Sequence, residues 1–124
     1  MVGKQELSGF IHSTFRTVWS LELLLFLKAH RERAWSPEEL VAALRGSDLL
    51  VARSLDALFA AGLVDAEEDG SVRYRVAAPE LDERVAAVEA YYARSPDAVR
   101  RIVISGAAGG GLAAFADAFK FRRD

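Results

Sequence analysis

The side chains in this sequence with types and spacing suited to chemistry are few and mostly of one kind. There is no cysteine and there are two histidines, His12 and His30. Disulfides, thiolate metal sites and cysteine nucleophiles are excluded together, and a catalytic metal site is not expected. The neighbouring acids Glu38 and Glu39 follow Ser36-Pro37, where they complete a helix start rather than an acid–base pair. No nucleophile is accompanied by a histidine at an interpretable place, and catalysis needs such partners within hydrogen-bond reach. No enzyme is therefore expected. What remains is arginine: Arg45, Arg53, Arg73 and Arg75 all fall between Ser36 and Val76, with guanidinium groups able to grip phosphates.

One further motif has the look of a ligand site. The run from Ile102 to Gly111, IVISGAAGGG, reads like the strand and glycine turn that open a dinucleotide-binding fold. That fold requires a second strand with an acid about 20 residues later, and a P-loop requires a lysine after the glycines. The sequence after Gly111 supplies neither. A flexible linker or helix break over Ser105 to Gly111 is the expected reading, and no cofactor is expected.

Stepping outward from these residues, the chain of 124 residues is one domain's worth, with 52% apolar and 27% charged residues. Its formal net charge of −2 does not by itself favour a polyanion partner, so the placement of charge must decide. The longest apolar run, Leu23 to Leu27, is flanked by Glu22 and Lys28 and is far short of the roughly 20 residues of a membrane span. Met1 to Leu7 lacks the basic start and apolar block of a secretory signal. A cytoplasmic protein with no membrane partner is expected.

Along the chain, Leu7 to Ile11 predicts a short helical turn, or an arm packing on a second subunit. From about Ser13 to His30 apolar residues lie nearly all round a helix, which predicts a central core helix buried by several neighbours. Ser36-Pro37-Glu38-Glu39 is a strong helix start, with a serine cap, proline at the first position and a capping-box glutamate. Leu40, Val41 and Leu44 supply that helix's inward face. Gly46 is expected to stop it, and Ser47-Asp48 to cap the next, in which Val51, Leu55, Leu58 and Phe59 share a face. Gly62 ends that helix. Asp69-Gly70 then predicts the turn of a hairpin between Val64 to Glu68 and Ser71 to Val76, with Arg73 and Arg75 on its wet face. Pro79 opens a helix with the stripe Leu81, Val85, Val88 and Tyr92. Ser95-Pro96-Asp97 starts a shorter one, and Leu112 to Phe121 predicts a last amphipathic helix.

The expected fold class is mainly α with a small β-hairpin. Capped helix, glycine turn, a helix ending in LDALFAAGLV, then an acidic-glycine hairpin and RYRV resemble the winged helix-turn-helix domain of bacterial transcriptional regulators of the MarR, ArsR and TrmB-like types. Leu55, Leu58, Ala61, Gly62, Leu63 and Val64 carry most of the likeness, which covers roughly residues 18–76. The resemblance implies a winged-helix domain with an N-terminal arm over residues 1–78, and C-terminal helices over 79–124 that serve dimerisation or extend the packing of the same domain. It also implies a non-catalytic DNA-binding regulator, with duplex DNA and a second copy of the chain as partners.

In that family the start of the recognition helix enters the major groove and the wing touches the backbone or minor groove. Carried over, the groove-facing positions are Asp48, Leu49, Leu50, Ala52, Arg53 and Ala57. The implied DNA-binding set is Arg45, Ser47, Arg53, Arg73 and Arg75. Of the groove-facing residues only Arg53 is a good base or phosphate ligand, Asp48 repels phosphate, and the leucines offer at most contact with a thymine methyl. On the hairpin, Asp65, Glu67, Glu68 and Asp69 oppose Arg73 and Arg75. The alternative is a protein-binding surface made by Asp48, Leu49, Leu50 and Asp56; the plain reading of the leucines is that one tucks under the first helix or the wing.

Overall fold

A computed structural model of the chain describes residues 3–107. Among the described residues the molecule is mainly α, with one antiparallel two-stranded hairpin: α1 (Lys4–Thr14), α2 (Val18–Ala29), α3 (Pro37–Leu44), α4 (Asp48–Ala60), β1 (Val64–Ala66), β2 (Val72–Tyr74), α5 (Pro79–Arg94) and α6 (Pro96–Ala107). The helix expected from Leu112 and the basic residues Lys120, Arg122 and Arg123 lie outside the described residues.

The single helix expected from Ser13 is instead two. Thr17 breaks it because its hydroxyl accepts from the Ser20 amide at 3.0 Å while the Ser20 hydroxyl accepts from the Thr17 amide at 3.4 Å, a reciprocal cap that starts α2 afresh. Phe15 at the break is extended in backbone and buried, its ring edge-on to Phe10. Thus α1 is a full helix whose Leu7, Phe10 and Ile11 enter the chain's own core against α5 and α6. The all-round apolar surface of α2 is explained by its neighbours: α4, β2 and α6 all pack on it, burying Leu21, Leu23, Leu24 and Leu27.

The start of α3 is as expected. Ser36 accepts from the Glu39 amide and the Glu39 carboxylate accepts from the Ser36 amide, at 3.1 and 2.9 Å. That backbone donor first, and then Arg33 at 2.6 Å, hold the Glu39 carboxyl below its ordinary range. The stop is different. Arg45, not Gly46, takes the left-handed conformation, with φ of 55°. Gly46 is required for a close approach: a Cβ there would lie 2.5 Å from Cζ2 of Trp19. The turn between α3 and α4 is therefore seated on the α2 indole. At the far end of α4 it is Gly62, at φ of 75°, that turns the chain into β1.

The hairpin is shorter than its sequence pattern suggests, with Val64 facing Tyr74, Asp65 facing Arg73 and Ala66 facing Val72. Val64, Val72 and Tyr74 are buried on the inner face. Val72 also exchanges both backbone hydrogen bonds with Trp35, at 2.7 and 2.8 Å, so the segment before α3 adds a third edge to the hairpin. Nothing in the sequence pattern marks that pairing.

Beyond the hairpin, α5 closes the core with Val85 and Val88, and α6 with Val99 and Val103. Polar ties hold α5 in place: Tyr74 donates to Asp82 at 2.6 Å, Lys28 to Glu89 at 2.8 Å and Tyr92 to Glu22 at 2.8 Å. Buried side chains on both sides of residue 78 belong to one continuous core. Ile102 to Ala107, where a dinucleotide-binding fold needs its first strand, is helical, which removes that reading; Ala108 to Gly111 lie outside the described residues. No helix of the described residues is long and apolar enough to cross a membrane.

Candidate functional site

The candidate residues cluster around α4, whose inward face is Val51, Ser54, Leu55 and Leu58. At 3.6 residues per turn this leaves Leu49, Arg53, Asp56 and Ala60 along the outward ridge. All are exposed, Leu49 by 60%. So Leu49 does not tuck under anything, whereas Leu50 is half-buried on one flank of the helix.

Ser47 caps α4, its hydroxyl accepting from the Leu50 amide at 3.1 Å. That ties up one lone pair in the cap and leaves the hydroxyl proton for a partner. Asp48 follows in the first turn, where its charge suits the positive end of the helix dipole and opposes an anionic ligand at that end. Arg45 stands exposed on the turn before it.

The two flanks of α4 differ in chemistry. On the side toward the start of α2, Arg16, Thr17, Ser20, Leu50, Arg53, Ser54 and Ala57 line a depression of about 260 Å³. It has two guanidinium groups and three hydroxyls and no carboxylate. On the side toward the hairpin, a groove of about 420 Å³ runs between α3, α4 and the strands, with Val41, Leu55 and Val72 beneath and Glu38, Asp48 and Asp56 among its walls. Phe59, 38% exposed, also lines it.

The hairpin arginines do not join Arg53. Arg73 lies 3.7 Å from Glu67 and Arg75 lies 3.4 Å from Asp65, so the wet face of the hairpin is a compensated ladder of acids and bases. The Nε of Arg73 is shut from solvent with no hydrogen-bond partner among the described residues. At the tip the Ser71 amide donates to Asp69 at 3.0 Å, holding that carboxyl below its ordinary range. The tip is therefore firmly anionic. Between Arg53 and the hairpin pair lies the acid-walled groove, and the implied set Arg45, Ser47, Arg53, Arg73 and Arg75 does not form one basic stripe.

His30 closes α2 with its ring against Phe26 and Trp35, at 4.5 and 5.6 Å between centroids, and His12 is exposed on α1. Among the described residues no group of three or more histidine, cysteine or acidic side chains is arranged to hold a metal.

Arg16, Thr17 and Ser54 escaped the sequence reading. Arg16 and Thr17 fall inside the single helix expected over Ser13 to His30, and nothing in the apolar pattern of α4 marks Ser54. The Thr-x-x-Ser pattern of the α2 cap was the signal available. Compared with protein-family models, curated proteins and solved structures, the chain returned no match in any of the three.

Proposed function

We propose that residues 18–76 are a winged helix-turn-helix domain, and that the protein is a non-catalytic transcriptional regulator that binds duplex DNA as a homodimer. The element order supports the fold reading, as does the Trp35 segment paired with the hairpin as a third edge. The observation that carries the functional reading is the pair Arg16 and Arg53. Both are exposed, both border the same depression on one flank of α4, and neither has a carboxylate partner among the described residues. With the α4 ridge in a major groove, Arg53 reaches base edges or phosphate and Arg16 the adjoining backbone, with Arg45 and Ser47 beyond the helix start.

Few phosphates are neutralised per copy, so the affinity of one copy is low and two copies are needed. The test is fluorescence anisotropy of random-sequence and selected duplexes over a salt series. Binding that falls with salt, and a log–log slope shallower by about 2 in dimeric Arg53→Ala, are expected. No duplex binding at low salt would sink this reading.

A second reading has its own observation. The groove between α3, α4 and the hairpin combines an apolar floor, acidic walls and the exposed Phe59, and the exposed Leu49 stands on the neighbouring ridge. These features suit a protein partner contacted by Asp48, Leu49 and Asp56, with Leu50 on the opposite flank. A pull-down with and without nuclease separates the readings: a protein partner stays bound after nucleic acid is digested.

A further inference from the structure

We propose that the depression between the start of α2 and the flank of α4 is a binding site for a phosphoryl oxyanion, held by Arg16, Arg53 and the hydroxyls of Thr17 and Ser54. The proposal shares Arg53 with the DNA reading but does not rest on it. Three observations converge on this place.

The first is Ser54. It is only 5% exposed, lines the depression, and makes no side-chain hydrogen bond among the described residues. Buried hydroxyls in helices ordinarily satisfy themselves on a nearby carbonyl or on a ligand. Ser20 does the former, at 2.7 Å. Ser54 does not; its hydroxyl is open to the depression and free to bond whatever occupies it.

The second is the pattern of hydroxyl protons. The Ser20 hydroxyl donates to the Thr17 carbonyl, so its proton is used. The Thr17 hydroxyl only accepts, from the Ser20 amide, so its proton is available to an external acceptor. With Ser54 and the two guanidinium groups, the walls offer donors without an anionic competitor. An acceptor-rich anion fits that set, and a cation does not.

The third is electrostatic. The depression opens beside the N-terminal end of α2, a helix of 12 residues with no acid in its first turn. The positive end of its dipole adds to the two arginines. Leu50 and Ala57 form apolar walls, which exclude water from one side and strengthen the remaining charge-assisted bonds. The depression, of about 260 Å³, is larger than the space one water needs.

The same chemistry is offered by a DNA backbone phosphate and by a free phosphorylated small molecule, and the experiment separates the two. Backbone amide shifts of the full chain are followed while inorganic phosphate replaces chloride at constant ionic strength, for wild type, Arg16→Gln and Ser54→Ala. Expected are saturable shifts at Thr17, Ser20 and Ser54, with the dissociation constant raised about tenfold by Arg16→Gln, a lost charge-assisted bond, and less by Ser54→Ala. Thermal melts like wild type establish that both variants fold. Shifts that rise without saturation, that spread over all the arginines, or that the variants leave unchanged overturn the proposal. The second arm adds duplex DNA. Saturable phosphate binding with no duplex binding upholds the site with a free phosphorylated ligand and removes the DNA reading. Duplex binding insensitive to Ser54→Ala, with no phosphate binding, removes the site and leaves the DNA reading standing.

Discussion

The two flanks of α4 belong to one helix and carry opposite chemistry. Toward α2 there are Arg16, Arg53 and free hydroxyls without a carboxylate; toward the hairpin there are Glu38, Asp48 and Asp56 over an apolar floor. The contrast arises because residues three and four apart form strips along a helix: Asp48, Ala52, Asp56 and Phe59 run down one side of the outward ridge, and Leu50, Arg53, Ser54 and Ala57 down the other. Averaged over the segment the charges nearly cancel. Sorted, they make one surface suited to anions and another suited to a cationic or apolar partner.

The strongest way to break the contrast is to move α4 itself. Gly46→Ala puts a methyl into the Trp19 ring, so either the indole or the turn before α4 must shift. A loss of about 1–3 kcal/mol is expected from such overpacking, read as a fall of several degrees in Tm. If Gly46→Ala melts with wild type, the seating of the turn on Trp19 is misassigned.

Next in size is the basic flank. Arg16→Gln combined with Arg53→Gln should lower duplex affinity by tenfold or more at moderate salt, because each lost charge leaves a phosphate unneutralised in both copies. The hairpin pair should matter far less. Arg73→Gln and Arg75→Gln remove cations already matched by Glu67 and Asp65, and anisotropy should show at most a few-fold change. An equal loss from the hairpin pair would erase the distinction between the two surfaces.

The acidic flank should respond in the reverse sense. Asp48→Asn with Asp56→Asn removes repulsion beside the ridge and should raise duplex affinity several-fold at low salt, the gain fading as salt screens it. A protein partner recovered by pull-down should be lost in the same variant. Unchanged behaviour in both assays means that this groove carries neither role.

The smallest effect is a pH dependence on the hairpin side. Burial, and then the hydrogen bond to Asp82, raise the Tyr74 hydroxyl above its ordinary value. A raised folded-state value means that this contribution is fully present below the unfolded value of about 10 and declines as pH rises beyond it. Wild type should therefore lose stability above about pH 10 more steeply than Tyr74→Phe, by chemical denaturation across pH 8 to 11. Parallel curves would show that the Tyr74–Asp82 tie does not couple the hairpin to α5.

Much of the fold was legible from local rules. The capping box at Ser36 and Glu39, the cap at Ser47, the left-handed turn at Gly62 and the turn at Asp69-Gly70 are interactions among near neighbours, and each is where the pattern puts it. Arg73 and Arg75 stand on the outer face because alternation along a strand dictates it. Two local signals are outweighed by stronger ones. The apolar run masks the Thr17–Ser20 cap, and a glycine at a helix end signals a conformational stop where the service of Gly46 is to let Trp19 approach.

What the sequence determined by itself was therefore the order and kind of elements from Ser36 to Val76, since caps, turns and face periodicity act within a few residues. Only the tertiary structure decided what those elements present together. Trp35 meets Val72, Arg16 meets the flank of α4, and the hairpin arginines stand beyond an acid-walled groove rather than beside Arg53. Such juxtapositions depend on how apolar faces stack around α2, and hydrophobic burial is non-directional: it selects which faces are covered without any local mark of which charges end up side by side.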